Sequence, residues 1–379
     1  MNFWIGLLGS EGICPVSEKF DIAIVGAGMA GASLAAEIGR GARTVLLEAE
    51  DRPGRHATGR SAAFWVQTYG GPLIEPLTTA SGPWLAEHGF LADRGGLTIA
   101  RAGQEAQLEA FVSRFAGSRI EILRLDRPSL DELIPGLHED WVGGVFEPSC
   151  MDIDVGGLHA WYLAEAKRAG SELRPRASLV AAEWDGLWHL KAADGSSLTA
   201  EILVNAAGAW ADTVAQMAGI APLGITPLRR TIAQVRTSPA PRPTMPLVLD
   251  VDGKFYFKPE SGRLWISPHD ETPSAPCDAA PEELDVALAI ERLEGVVDWK
   301  VERVEHKWAG LRSFAPDRLP VYGPAEANPA FFWFAGQGGF GIQTAPAAAR
   351  LAAQMLLGLP ADNMTAPVDR ERYTAARFA

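Results

Sequence analysis

The pattern of apolar and polar positions predicts a βαβ unit near the start of the chain. The runs Phe20–Val25 and Thr44–Leu47 are apolar enough for two buried strands. Between them lie a glycine-rich turn, residues 26–31, and a helical stretch, residues 32–38. The second strand ends on Glu48. This order of strand, glycine turn, helix, strand and acid predicts a dinucleotide-binding unit.

The glycines of the turn fit a pyrophosphate. Gly26 permits the tight turn, Gly28 lets backbone N–H groups approach the phosphates, and Gly31 lets helix and strand pack closely. The helix N-terminus favours negative charge. Glu48 is placed to accept hydrogen bonds from ribose hydroxyls. The alternative interpretation is a glycine-rich turn in some other α/β unit.

Further along the chain, helical and strand-like stretches alternate. The spacing of apolar residues predicts helices over Leu73–Leu85, Glu105–Phe115, Val155–Ala169, Glu282–Leu293 and Thr344–Leu357, and Ser61 is expected to cap a short helix. Strict alternation between Asp-Gly turns predicts a β-meander over residues 178–205. Two more combinations of strand, glycine turn and helix follow, at residues 202–217 and 331–357.

These elements predict an α/β chain of two domains after an N-terminal extension, residues 1–19. The first is a Rossmann-like domain for the dinucleotide, and it is discontinuous because the three glycine turns are far apart in the chain. The second is an antiparallel, substrate-facing domain. The ranges are 20–70, 151–225 and 319–379 for the first domain, and 71–150 and 226–318 for the second.

Composition narrows the class of protein. The chain has 379 residues and a net charge of −13, which argues against nucleic-acid binding through a basic surface. Cys14, Cys150 and Cys277 are far apart, so no disulfide framework and no metal site is predicted. No apolar run reaches the roughly 18 residues of a transmembrane helix, and no signal peptide is evident. We therefore expect a cytoplasmic protein.

Several stretches, taken together, resemble one family. They are residues 24–33, residues 56–63 (HATGRSAA), residues 204–210 (VNAAGAW), residues 255–259 (FYFKP), residues 308–314 (WAGLRSF) and residues 337–344 (QGGFGIQT). In this order they resemble the FAD-dependent D-amino-acid oxidase-type oxidoreductases, and within them D-arginine dehydrogenase most closely. The resemblance implies non-covalent FAD, with the flavin ring meeting a small amino-acid substrate where the two domains face each other.

The resemblance also implies which residues contact FAD. Gly26, Gly28, Ala30 and Gly31 would hold the pyrophosphate, Glu48 and Ala49 the ribose, and the backbone near Leu179 the adenine. The remaining positions would line the flavin and its ribityl chain: His56, Thr58, Gly59, Arg60, Ser61, Ala62, Ala63, Ala207, Gly208, Trp210, Gly310, Gly338, Gly339, Gly341, Ile342, Gln343 and Thr344. Some relatives attach FAD covalently through a histidine in the loop around His56, but we expect no such bond here.

For the substrate, the resemblance implies an arginine-based carboxylate site. Arg312 matches the arginine that pairs bidentately with the substrate carboxylate, and Arg230 and Tyr256 match further groups of the pocket. Tyr69 matches a tyrosine on a mobile lid. Gly339 and Gln343 match residues near the substrate amine and the flavin. Alternatives are a structural salt bridge for Arg312 and a packed aromatic for Tyr69.

This chain departs from D-arginine dehydrogenase where that enzyme holds a guanidinium side chain. Gly96 stands in place of its acidic residue, and Phe64 and Val66 replace a histidine and a threonine of the lid. A cationic side chain would lose its counter-charge, so we expect a neutral D-amino acid to be preferred.

Other functions stay open at this point. A glycine- or sarcosine-type amine oxidase using O₂ and a 2-hydroxy-acid oxidoreductase would need the same carboxylate anchor. A non-catalytic flavin-binding protein would not need the pocket residues. The electron acceptor, whether a quinone, another carrier or O₂, does not follow from the sequence.

Overall fold

A computed structural model describes residues 18–378. The first strand begins at Glu18 rather than at the predicted Phe20. The earlier part of the expected extension, with Cys14, lies outside the described residues.

Most helices occur close to their predicted positions, where apolar residues recur at helical spacing. The short helix Arg127–Leu133 was not predicted. Within the described residues, no helix is long and apolar enough to span a bilayer. The helices are α1 (Met29–Ile38), α2 (Glu75–Glu87), α3 (Glu105–Ser113), α4 (Arg127–Leu133), α5 (Val155–Arg168), α6 (Ala211–Met217), α7 (Glu283–Glu294) and α8 (Ala345–Leu357).

The strands form two large sheets and one small one. In chain order they are β1 (Glu18–Val25), β2 (Thr44–Leu47), β3 (Phe64–Trp65), β4 (Leu91–Asp93), β5 (Gly96–Arg101), β6 (Leu123–Asp126), β7 (Trp141–Glu147), β8 (Met151–Ile153), β9 (Glu172–Arg174), β10 (Leu179–Trp184), β11 (Trp188–Ala192), β12 (Ser197–Asn205), β13 (Thr226–Ser238), β14 (Leu247–Asp250), β15 (Tyr256–Glu260), β16 (Arg263–Ser267), β17 (Thr272–Pro273), β18 (Lys300–Phe314), β19 (Val321–Pro324), β20 (Phe331–Ala335) and β21 (Gln337–Gly338).

The first large sheet carries the dinucleotide-binding unit. Its order is β10-β11-β12-β1-β2-β9, with β20 beside β12 and β19 beside β20. β1 runs parallel to both β2 and β12, and β12 runs parallel to β20. The carboxyl ends of these parallel strands therefore meet at one edge, where all three glycine-rich turns begin.

The second large sheet lies beside the cavity described below. Its order is β21-β18-β13-β16-β15-β14-β5-β7-β6, with β17 beside β13. It is antiparallel apart from the parallel pair of β14 and β5. In the long β13–β18 pair, Leu228 is opposite Arg312 and Arg230 is opposite Gly310. The two arginines are thus diagonal neighbours on one face of the sheet.

The predicted helix at Ser61 is wrong. A single 3₁₀ turn, Thr58–Arg60, ends before it, and Ser61 is extended. The Ser61 hydroxyl accepts a hydrogen bond from the N–H of Ala63, whose φ of 60° cannot continue a helix. The chain then enters β3, which pairs with β8 in the small sheet β3-β8-β4.

The domain division stays a prediction. The two large sheets follow the predicted ranges closely, but β21 from the third cofactor range joins the second sheet.

Candidate active site

One continuous cavity of about 480 Å³ joins the glycine turn of the βαβ unit to the arginines of the second sheet. A volume of this size is typical of a small-molecule site. Every predicted catalytic residue lines it: Tyr69, Arg230, Tyr256, Arg312, Gly339 and Gln343. So do most predicted cofactor residues: Gly26, Gly28, Ala30, Glu48, Ala49, His56, Thr58, Arg60, Ser61, Ala62, Ala63, Leu179, Ala207, Gly208, Trp210, Gly310, Gly338, Gly341 and Ile342.

Three predicted cofactor residues lie behind the wall of the cavity. A Cβ on Gly31 would lie 1.9 Å from the Gly26 oxygen, so Gly31 allows α1 to pack against the turn. A Cβ on Gly59 would lie 2.7 Å from the Gly54 oxygen. Thr344 is the N-cap of α8, and its hydroxyl donates to the Phe340 carbonyl at 2.9 Å. These three residues shape the cavity rather than line it.

The glycine turn and Glu48 form one end of the cavity. Gly26 has φ 98°, and a Cβ there would lie 2.5 Å from the Ala206 oxygen, so a side chain cannot be accommodated. Glu48 is buried at the end of β2, where Oε2 accepts from the Ala27 N–H at 2.9 Å. The carboxylate is therefore fixed beside the turn, in the place a ribose requires.

The loop after Glu48 covers the middle of the cavity. His56 contacts Glu50 Oε1 at 2.9 Å, and its ring lies 4.8 Å from that of Trp210. Arg60 pairs with Asp278 and donates to the Ala279 carbonyl at 2.8 Å. The sequence analysis did not identify the segment around Asp278. It belongs to residues 226–318, the range that supplies strands of the second large sheet, and it carries no motif.

Arg312 is fixed at the other end of the cavity. Its Nη1 donates to the Tyr69 hydroxyl at 3.0 Å, and its Nη2 donates to Glu271 Oε1 at 2.6 Å. Its Nε is buried with no hydrogen-bond partner in the described chain. A Cβ on Gly339 would lie 3.0 Å from Nη1, so glycine leaves room for the guanidinium.

Arg230 places a second guanidinium in the same region. It is 5% exposed, and its Nε donates to the Asp270 carbonyl at 2.9 Å. Its Nη2 has no hydrogen-bond partner within residues 18–378. Burial lowers the pKa of Arg230, and the neighbouring charge of Arg312 lowers it further. A buried and a largely buried guanidinium, each with an unpartnered nitrogen, favour an anionic ligand.

Aromatic rings form the wall beside the two arginines. Phe64 lies edge-on to Tyr69 at 5.5 Å and to Tyr256 at 5.9 Å. Burial raises the pKa of the Tyr256 phenol, so Tyr256 stays a hydrogen-bond donor at neutral pH. The cavity at this end combines an apolar wall with cationic and phenolic groups.

Phe64, Val66 and Gly96, the three positions at which this chain departs from D-arginine dehydrogenase, do not lie together. Phe64 lines the main cavity, but Val66 and Gly96 line a separate small cavity instead. Gly96 is opposite Glu147 in the β5–β7 pair, and a Cβ there would meet Cys150 at 3.1 Å. The acid beside Arg312 is Glu271, which the sequence analysis did not identify.

The segment that carries Tyr69, residues 66–69, is held on both sides. Gln343 accepts from the Val66 N–H at 3.3 Å and donates to Thr78 Oγ1 at 2.8 Å. On the other side, Glu147 accepts from the Gln67 N–H at 2.8 Å and from a Thr68 hydroxyl at 2.6 Å. Both polar atoms of the Gln343 side chain therefore already form hydrogen bonds with other residues of the protein.

Replacing Glu147 with glutamine is expected to loosen this segment. Burial raises the pKa of Glu147 although Thr68 and the Gln67 N–H favour the carboxylate. An amide would face four donors, from Gln67, Thr68 and Ser149, with a single acceptor oxygen. We expect E147Q to lower the free energy of unfolding by about 1–3 kcal/mol. Denaturant unfolding measures the change, with the exposed, Arg124-paired Glu109 replaced in the control E109Q. Equal stability of the two variants would contradict this role.

Comparison with known proteins agrees with the geometry. Residues 21–355 match the family described as DAO, FAD dependent oxidoreductase. The chain belongs to this family of FAD-dependent oxidoreductases. The fold and the cofactor, FAD, follow from that membership.

Individual relatives are distant. The chain is 25% identical over 360 residues to glycine oxidase from Geobacillus kaustophilus (strain HTA426), covering 90% of this chain and 94% of the relative. It is 24% identical to human mitochondrial dimethylglycine dehydrogenase, covering 86% of this chain but 41% of that protein. The crystal structure of L-proline dehydrogenase from P. horikoshii has a TM-score of 0.83 at 21% identity, covering 96% of this chain and 98% of that one.

The described residues fit FAD. The glycine cradle, the buried carboxylate at the end of β2 and a cavity that continues to the start of α8 match the parts of a long dinucleotide. The N-terminus of α8, the positive end of its dipole, follows directly on the cavity-lining residues Ile342 and Gln343. Its first N–H groups are used within the protein, because Ala345 donates to the Ile342 carbonyl and Ala347 to the Ser81 hydroxyl.

Proposed function

We propose that this protein oxidises the amine-bearing carbon of a small amino acid with non-covalent FAD. The observation that carries the proposal is the pair of arginines, the largely buried Arg312 and the buried Arg230, in the same cavity as the dinucleotide-binding turn. A carboxylate bound between the two guanidiniums balances their charge, and it directs the rest of the substrate along the cavity toward the cofactor.

Recognition of the carboxylate rests mainly on Arg312. Its planar fork binds two oxygens at once and fixes the orientation of the substrate, which a lysine ammonium cannot do. Tyr256 and Tyr69 add phenolic groups at the same end, and Gly339 keeps the space open. The rings of Phe64, Tyr69 and Tyr256 place apolar surface beside the arginines, on the side where the α-carbon would lie.

FAD, when bound, supplies the acceptor for the hydride that leaves the substrate α-carbon. The βαβ turn and Glu48 would hold its adenosine and pyrophosphate, and residues 58–63 and 337–342 would surround the flavin. The chain needs only to bind, orient and shield the substrate. The product would be an imino acid, which water hydrolyses to a 2-oxo acid and ammonia.

For the side chain, we propose a neutral D-amino acid. The wall formed by Phe64, Tyr69 and Tyr256 offers apolar surface. Glu271 is already paired with Arg312 and Arg318, so it does not offer a free counter-charge to a cationic side chain. The likeness to D-arginine dehydrogenase therefore extends to the motifs and not to the preferred substrate.

A second candidate is a glycine- or N-methylglycine-type substrate. The similarity to glycine oxidase and dimethylglycine dehydrogenase favours it. The anchor arginine is compatible with both classes, since each carries the same carboxylate. Access to the flavin decides whether O₂, a quinone or another carrier takes the electrons.

Anaerobic mixing of the yellow holoprotein with a substrate panel tests the proposal. The panel contains D- and L-alanine, D-leucine, D-arginine, glycine, N-methylglycine and lactate. We expect D-alanine or D-leucine to bleach the flavin absorbance faster than D-arginine, and L-alanine to leave it unchanged. Preference for D-arginine would contradict the neutral side chain, and bleaching only by glycine or N-methylglycine would establish the second candidate. Absence of bleaching by any member would contradict the proposed function. Admitting air to the reduced samples then tests for O₂ as acceptor.

A further inference from the structure

Glu271 lies where the anchor arginine meets the solvent. It follows β16 and directly precedes β17, and its side chain is 35% exposed. A single oxygen, Oε1, accepts from Arg312 Nη2 at 2.6 Å and from Arg318 Nη2 at 2.8 Å. The same oxygen lies 3.6 Å from Arg230 Nη2. Three guanidinium groups thus converge on one carboxylate oxygen.

This contact conflicts with bidentate recognition of a substrate. The outer edge of the Arg312 fork consists of Nη1 and Nη2, and both nitrogens already donate, to Tyr69 and to Glu271. A substrate carboxylate that takes this edge needs Nη2, and a second carboxylate next to it would add like-charge repulsion. Because Nη2 carries two N–H groups, the two carboxylates can share it only as close like charges, so a bound substrate carboxylate disfavours the contact with Glu271.

We propose that Glu271 is an internal competitor of the substrate carboxylate and so sets the affinity of the site. This inference rests on the proposed carboxylate anchor. In the free protein Glu271 neutralises the buried fork, which otherwise would leave charge uncompensated in the cavity. On binding, the substrate carboxylate takes over that contact.

Arg318 gives Glu271 an alternative partner. Arg318 is half exposed, and its guanidinium carbon lies 4.0 Å from the centroid of the Phe314 ring. The guanidinium carbon of Arg312 lies 5.4 Å from the centroid of the same ring. A small rotation of Glu271 toward Arg318 releases Arg312 without leaving the carboxylate unpaired. Removing Arg318 should therefore strengthen the hold of Glu271 on Arg312.

Binding of propionate to the oxidised holoprotein, followed by the change in the flavin spectrum, tests the inference. We expect E271Q to lower the Kd for propionate about tenfold, a coupling usual for groups that share a partner. R318Q should raise the Kd, and the double variant E271Q/R318Q should bind as tightly as E271Q alone. Propionamide, which has no charge, should show none of these differences.

Glu305 supplies a matched control. It lies on β18, like Arg312, and it bridges Arg236 and Arg263 far along the strand from the cavity. E305Q should leave the Kd for propionate unchanged. Weaker or equal propionate binding by E271Q would overturn the inference, because a residue that only orients Arg312 gives that result. An R318Q effect that persists in the E271Q background would also overturn it.

The failure of this inference and the failure of the proposed function can be told apart. If R312Q binds propionate as well as the unaltered protein does, the carboxylate anchor itself is wrong. If binding depends on Arg312 but E271Q does not tighten it, the anchor stands and Glu271 is no competitor.

Discussion

Replacing Arg312 with glutamine is expected to lower kcat/KM for the best amino-acid substrate by about two to three orders of magnitude. In the proposed function Arg312 binds both oxygens of the carboxylate, and loss of one partner of a buried charged pair costs about 2–5 kcal/mol. The loss should appear in KM and in kcat, because the same contact holds and orients the substrate. Steady-state or stopped-flow kinetics of flavin reduction measure it.

Two controls separate this effect from general damage. R236Q removes an arginine of β13 that pairs with Glu305 away from the cavity, and it should retain full activity. R312K keeps the charge but not the planar fork, and it should fall between the two. If R312Q kept half of the original kcat/KM with bound FAD, Arg312 would be a structural residue only.

Replacing Gly31 with alanine is expected to yield protein that does not retain FAD. The added Cβ would lie 1.9 Å from the Gly26 oxygen and 3.3 Å from Ile24 Cγ2, so α1 must move away from the turn. Such a clash falls on backbone, where no side chain can rotate to relieve it. The cradle for the pyrophosphate opens, and we expect the FAD content to fall to about a tenth or less.

The FAD content is measured from the ratio of flavin to protein absorbance after purification, and folding from circular dichroism. Gly117 provides the control, since a Cβ there meets nothing within 4 Å and its φ is not positive. G117A should carry as much FAD as the unaltered protein. A yellow, stoichiometric G31A protein would contradict the close packing of turn and helix.

Local pattern was enough to predict the βαβ unit and most helices. The turn from Gly26 to Gly31 has its own sequence signature. Helices such as α2, α5 and α8, of 13 to 14 residues, are long enough to show apolar residues at helical spacing. The diagonal placement of Arg230 and Arg312 also follows from two long, well-patterned strands, β13 and β18.

Contacts made by short or unpatterned segments could not be predicted. The two residues of β3 are too few to show an alternation, so the start of a helix was expected at Ser61 instead. Glu271 and Arg312 form a hydrogen bond although they are 41 residues apart in the sequence, and Glu147 and Thr68 do so although they are 79 residues apart. Such pairs depend on how separate elements pack, which no motif in a single sequence records.

The most direct test of the central claim is an anaerobic comparison of D-alanine with ethylamine, which lacks only the carboxylate. Stopped-flow absorbance records the rate of flavin reduction in the holoprotein over a range of concentrations. If a carboxylate anchored at Arg312 presents the amine-bearing carbon to FAD, D-alanine reduces the flavin and ethylamine does not do so at any concentration tested. Equal reduction by ethylamine, or reduction by neither compound nor by any other member of the panel, would contradict the account.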